Sequence, residues 1–136
     1  MAEETLVIKE PLTSEMIELG AQLVQKLDEM QVPIPVAMWL FDSEINAWHL
    51  ILGSPQLATI GPLGVYGQIR RALETLGVSR ETLSLQMIRA LAMNHWLVKK
   101  LSATVPTGPG LFRIRFTKDI MAGHIVDDAL IYRSAA

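Results

Sequence analysis

The chain contains no cysteine, and that one absence removes disulfides, thiolate nucleophiles and cysteine-ligated zinc or iron–sulfur centres together. It fits a reducing compartment, and the cytoplasm is the expected location. A long hydrophobic run is also missing. The longest apolar stretch, VPIPVAMWLF, covers residues 32–41 and is interrupted by Pro33 and Pro35, about half of the ~20 residues a bilayer crossing needs. No membrane span is expected. The opening MAEETLVIKE has neither a basic region nor a continuous apolar core, so no signal peptide is expected. Nor does the chain carry a G-x-S-x-G elbow, an S-x-x-K pair, a Walker Lys-Ser/Thr or a G-x-G-x-x-G turn. His49, His95 and His124 are scattered, and nothing in the sequence sets a serine or an acid beside any of them. No catalytic residue, cofactor or metal is expected on these grounds, and His49 is read as a packed or edge histidine.

What is present is enough for one core. The 136 residues are 50% hydrophobic, sufficient for a single domain over 1–136 and too few for two ordinary ones, with residues 1–12 a flexible or edge segment. Charge is divided along the chain: residues 1–69 hold nine acids against Lys9 and Lys26, whereas residues 70–136 hold ten bases against five acids. Such polarity means either an acidic and a basic face or two halves that interleave and neutralise each other.

Hydrophobic spacing sets the element order. Thr13 or Ser14 offers an N-cap, and Met16, Leu19, Leu23, Leu27 and Met30 recur at steps of three and four, which predicts an amphipathic helix ending before Pro33. The period then changes to two in VAMWLFD and AWHLILG around SEIN, predicting a hairpin with Asp42 opposite Ala47, Phe41 opposite Trp48, Trp39 opposite Leu50 and Ala37 opposite Leu52. The other side of that hairpin carries Met38, Leu40, His49 and Ile51. Because it too is apolar, the hairpin is either central in a layered fold or half covered by another subunit.

A second helix follows, with Pro62 near its first turn, Val65, Ile69, Leu73 and Leu76 on its buried stripe and a stop at Gly77. Residues 82–93 alternate as a strand would but also fit a helical stripe; the strand reading is preferred, with Asn94 capping a helix HWLVKKLSA. After the breaker TVPTGPG, LFRIRFTKDIMAGHIVDDALIYR alternates on both sides of Ala122–Gly123, predicting a second hairpin whose paired numbers sum to 245. The expected fold is α+β in the order α-ββ-α-β-α-ββ, a mainly antiparallel sheet packed with helices.

The pattern WLFD (39–42), Trp48, Ser54–Pro55, Gly61–Pro62 and IYR (131–133) resembles a loosely defined group of small, uncharacterised prokaryotic proteins with W-L-[FY]-D, W-x-L and I-Y-R. The resemblance runs over most of the chain after residue 14. It implies a fold and carries no chemistry.

Three stretches contain residues that could do more. In GHIVDDALIYR, His124, Asp127 and Asp128 are metal-ligand types, but on a strand the two aspartates face opposite ways and His124 lies about 13 Å from Asp128, whereas ligands of one zinc converge to within about 4 Å. The aspartates are expected instead as cross-strand partners, Asp127 opposite Lys118 and Asp128 opposite Thr117 and diagonal to Arg115, each worth about 0.2–1 kcal/mol. Gly61, Gly64 and Gly67 at spacing three open a helix ahead of Arg70 and Arg71, which suits either an anion at a helix start or close packing on the sheet. Finally, Arg113 and Arg115 share a strand face with Tyr132, so Arg70, Arg71, Arg113, Arg115 and Tyr132 are the candidates for contact with an anion or nucleic acid. A pI near 5.9 argues against strong general nucleic-acid binding.

The sequence therefore predicts a non-catalytic protein-interaction or accessory subunit that binds protein partners and forms a homo-oligomer through Met38, Leu40, His49 and Ile51. The alternative is a nucleic-acid-binding module or small nuclease built on the basic C-terminal half.

Overall fold

The computed structural model describes residues 8–121 and 124–135, and the side chains of 118–127 lie outside that description. Helix α1 is Ser14–Glu29. Its N-cap is Thr13, whose hydroxyl accepts the Met16 amide at 3.1 Å, relieving one of the orphan donors of the first turn. Strands β1 (Val36–Asp42) and β2 (Ala47–Gly53) pair antiparallel in the predicted register, from Asp42 opposite Ala47 to Ala37 opposite Leu52. Asn46 closes their turn at φ 48°, a left-handed conformation that asparagine tolerates better than most residues.

Helix α2 spans Leu57–Leu76 and is broken at Gly61, which sits at φ 74° and ψ 175°. Pro62 restarts it, so the helix expected from Pro62 acquires one additional turn ahead of the break. A 3₁₀ turn (Leu85–Met87) leads into β3 (Ile88–Leu91), which settles the ambiguous 82–93 segment as turn then strand. Helix α3 is Trp96–Thr104, and its cap is His95 rather than Asn94: the His95 Nδ1 accepts the Leu97 amide at 3.1 Å. The chain ends in β4 (Ile114–Met121) and β5 (His124–Ser134), whose partners, Ile114 with Ile131, Phe116 with Ala129 and Met121 with His124, follow the predicted sum of 245.

The five strands lie in the order β3-β2-β1-β5-β4. Three of the four pairings are antiparallel and β2–β3 is parallel, so the fold is α+β with a mixed sheet in the expected element order. Alternation along the strands divides the core between the two faces of the sheet. One face carries Ala37, Trp39, Phe41, Trp48, Leu50, Leu52, Leu130 and Tyr132 against Leu23, Val24 and Leu27 of α1 and Val65, Ile69 and Ala72 of α2. The opposite face carries Met38, Ile51, Ala129 and Ile131 against Leu97, Val98 and Leu101 of α3. Both faces are thus paved within one chain.

The parallel pair has a geometric consequence. Because β2 and β3 run the same way and each feeds a helix, α2 and α3 start at the same end of the sheet, on opposite sides of it. At the far end, residues 8–12 are strapped over the first hairpin: Asn46 Nδ2 donates to the Ile8 carbonyl at 2.9 Å, the Glu10 amide donates to Asn46 Oδ1 at 2.8 Å, and Trp48 Nε1 donates to the Glu10 carbonyl at 2.8 Å. Of the flexible and edge alternatives expected for residues 1–12, the contacts of residues 8–10 fit an edge segment. Residues 1–7 lie outside the described part.

Candidate interaction surface

Of the nine sequence-nominated residues the structure buries Met38, Ile51 and Tyr132, leaves Leu40 and His49 half-buried, and keeps Arg70, Arg71, Arg113 and Arg115 exposed. Met38 is 0% exposed and Ile51 4%, because α3 lies over them. The expected open face of Met38, Leu40, His49 and Ile51 is corrected accordingly: its apolar centre is covered from within the chain, and Leu40 and His49 are half-buried beside it. The His49 Nε2 is 3.8 Å from the Asp42 carboxylate and 3.5 Å from an Arg89 guanidinium nitrogen. Burial, and then the Arg89 charge, lower its pKa, with Asp42 pulling the other way, so this ring is held neutral more firmly than a free imidazole.

The basic cluster loses its aromatic member, and two of its exposed arginines are paired within the chain. Tyr132 is fully buried, which corrects its nomination as a stacking platform: the face it shares with Arg113 and Arg115 is the one under α1. Arg113 pairs with Glu18 of α1 at 2.8 Å. Arg133 reaches Asp28 at 2.8 Å. These bridges join the basic C-terminal half to the acidic N-terminal half, so the two halves interleave. Arg70 and Arg71 remain exposed on α2.

Asp128 shows why its stretch is apolar around an acid. Its carboxylate receives Arg115 Nε and a terminal guanidinium nitrogen at 2.7 Å each and Lys9 Nζ at 2.8 Å. Lys9 and Arg115 in turn lie 4.6 Å from the Phe41 ring centre and 5.4 Å from the Trp48 ring centre, within cation–π range. Burial alone would raise the Asp128 carboxyl; the hydrogen bonds and charges of Arg115 and Lys9 outweigh it and hold the group below its ordinary value. The cross-strand role expected for Asp128 is present, but in a buried setting. Asp128→Asn should therefore cost about 1–3 kcal/mol, less than for a fully buried pair because both cations can rehydrate. Since the folded pKa is depressed, this contribution is complete above 3.8 and disappears as pH falls through the lower folded value. Urea titrations of both proteins across the acid range test this, and parallel stability curves would contradict it. The Asp127 and His124 side chains lie outside the described residues.

Exposed large apolar side chains lie at both ends of the sheet: Ile8 and Ile45, 83% and 57% exposed, beside the β1–β2 turn, and a second set where α2 and α3 begin. On α2, Ile60 is 47% exposed and Leu63 92%. Trp96, the first residue of α3, is 41% exposed. The glycines between them on α2 do not pack on the sheet as one reading supposed: a Cβ at Gly61 or Gly67 would meet nothing within 4 Å, and at Gly64 it would meet the side chain of Ile60. Gly61 is required for its positive φ, and the glycine face of α2 is bare. Exposed isoleucine and leucine thus flank the Gly61 break at the start of α2, and an exposed tryptophan opens α3 at the same end of the sheet, apolar groups of the kind found at contact sites. Sequence reasoning passed over Ile60 and Leu63. The available signal was that both fall outside the Val65, Ile69, Leu73, Leu76 stripe.

Among the described residues no group of three or more His, Asp or Glu could hold a metal ion, and no helix is long and apolar enough to cross a membrane. Protein-family models, curated proteins and solved structures contain no match to this chain, so the functional reading rests on its own geometry.

Proposed function

We propose that the protein acts by binding protein chains, first of all a second copy of itself, through the end of the sheet where α2 and α3 start. The observation that carries this reading is the exposure of Leu63, at 92%. Leaving such a side chain in water forgoes about 1.5–3 kcal/mol that burial would return, and Ile60, also exposed, lies just ahead of the Gly61 break. Exposed aromatic and aliphatic side chains grouped on rigid elements are the usual anchors of protein interfaces. The nucleic-acid alternative loses its main support, because Arg113, Arg115 and Arg133 are each engaged by a carboxylate of the same chain.

The absence of cysteine gives a clean probe. An environment-sensitive fluorophore on Leu63→Cys should shift to the blue as protein concentration rises through the micromolar range, and the shift should vanish when Ile60→Glu is added. A spectrum independent of concentration would contradict the reading.

A further inference from the structure

A cleft of about 540 Å³ lies at the other end of α2, between the last turns of the helix and the segment that leads to β3. Its wall on the helix side is one face, with Arg70, Leu73, Glu74 and Gly77 at the i, i+3, i+4 and i+7 positions. Gly77 ends the helix at φ 65°, which turns the chain sharply enough for Val78 and the following residues to fold back as the opposite wall. The lining there is apolar at its base, where Leu83 is 1% exposed and sits with Leu85. The rim is polar, with Arg80, Ser84 and Gln86.

The rim charges distinguish this cleft from a gap left by imperfect packing. Of the five other arginines, Arg113, Arg115 and Arg133 form close ion pairs with carboxylates and Arg89 faces His49. Among the described residues, neither the Arg70 nor the Arg80 side chain forms an ion pair or hydrogen bond. With Glu74 as the one acid in the lining, the cleft carries a net single positive charge. Its volume falls within the several hundred Å³ typical of small-molecule sites, which combine an apolar lining with a few polar groups that fix orientation.

We infer that this cleft binds a small amphipathic monocarboxylate, with the apolar body on Leu73, Val78, Leu83 and Leu85 and the carboxylate between Arg70 and Arg80. Guanidinium groups suit this head group because their donors form a planar fork matched to two oxygens. Ser84 and Gln86 supply further hydrogen-bonding groups at the rim. The site is separate from the Leu63 surface and stands or falls independently of it.

The test is a titration of the ¹⁵N-labelled protein with sodium octanoate and, in parallel, with 1-octanol, which keeps the apolar body and removes the charge. Octanoate should give saturable shifts confined to amides between residues 70 and 86, and should bind about tenfold more tightly than octanol. Arg70→Ser and Arg80→Ser, both at exposed positions whose loss leaves the amide spectrum dispersed, should each weaken octanoate by about tenfold and leave octanol unchanged. Shifts that do not saturate, shifts centred elsewhere, equal affinity for the two probes, or octanoate binding indifferent to both substitutions would overturn the assignment.

Discussion

Tyr132→Phe is expected to destabilise the protein by about 2–4 kcal/mol, although it removes a single oxygen. The hydroxyl is fully buried. It donates to the Ile17 carbonyl of α1 at 2.5 Å and accepts from the Trp39 indole nitrogen at 2.9 Å. Phenylalanine would leave that indole N–H, on a side chain 0% exposed, with no acceptor in a dry core, and an orphaned buried donor costs its full desolvation. Burial also pushes the phenol far above its ordinary pKa, so it works as a neutral hydroxyl throughout the accessible pH range. The same arrangement explains Gly20, where a Cβ would stand 2.5 Å from the Tyr132 oxygen and 2.7 Å from the Trp39 nitrogen. Gly20→Ala should therefore destabilise, even though alanine is favoured over glycine by about 1 kcal/mol in a helix interior. Urea denaturation measures both, and a Tyr132→Phe protein within about 0.5 kcal/mol of the parent would be the ordinary surface outcome and would contradict this reading.

Arg133→Met should cost a similar amount, about 2–4 kcal/mol. Its side chain is 8% exposed and grips Asp28 at 3.0 and 2.8 Å. It also donates to the Ile34 carbonyl at 3.2 Å and the Gly110 carbonyl at 3.1 Å, tying the end of α1, the approach to β1 and the approach to β4 to the last strand. Methionine fills much of the volume but satisfies neither carbonyl. Asp28 is 42% exposed and can return to water, which keeps the loss below that of a wholly buried pair. Arg133→Lys should fail to restore stability, because an ammonium cannot present the planar fork that reaches four acceptors. Rescue by lysine to within about 0.5 kcal/mol would show that charge alone matters there.

The strands that pair with their sequence neighbours were legible in the sequence because a two-residue period and a short turn fix their register locally. Hence Phe41 opposite Trp48 and Ile114 opposite Ile131 follow from spacing alone. The partner of β3 does not, since four residues carry little periodicity and a parallel pairing across α2 is a tertiary fact. Coverage of Met38 and Ile51 was hidden for the same reason. Periodicity showed both hairpin faces apolar, but only the placement of α3 decides which one another chain could touch. Tyr132 shows the limit most clearly: spacing correctly placed it on the face of Arg113 and Arg115, and could not say that α1 lies on that face. The bare start of α2 was written in GPLGVYG, where Leu63 departs from the buried stripe.

Sedimentation equilibrium on the parent chain, Leu63→Glu and Leu40→Glu tests the proposed function most directly. The parent and Leu40→Glu should associate reversibly at tens of micromolar, while Leu63→Glu, at a position 92% exposed and so without cost to the fold, should sediment as a monomer. A parent chain that remains monomeric at that concentration, or a Leu63→Glu protein that associates as the parent does, would contradict it.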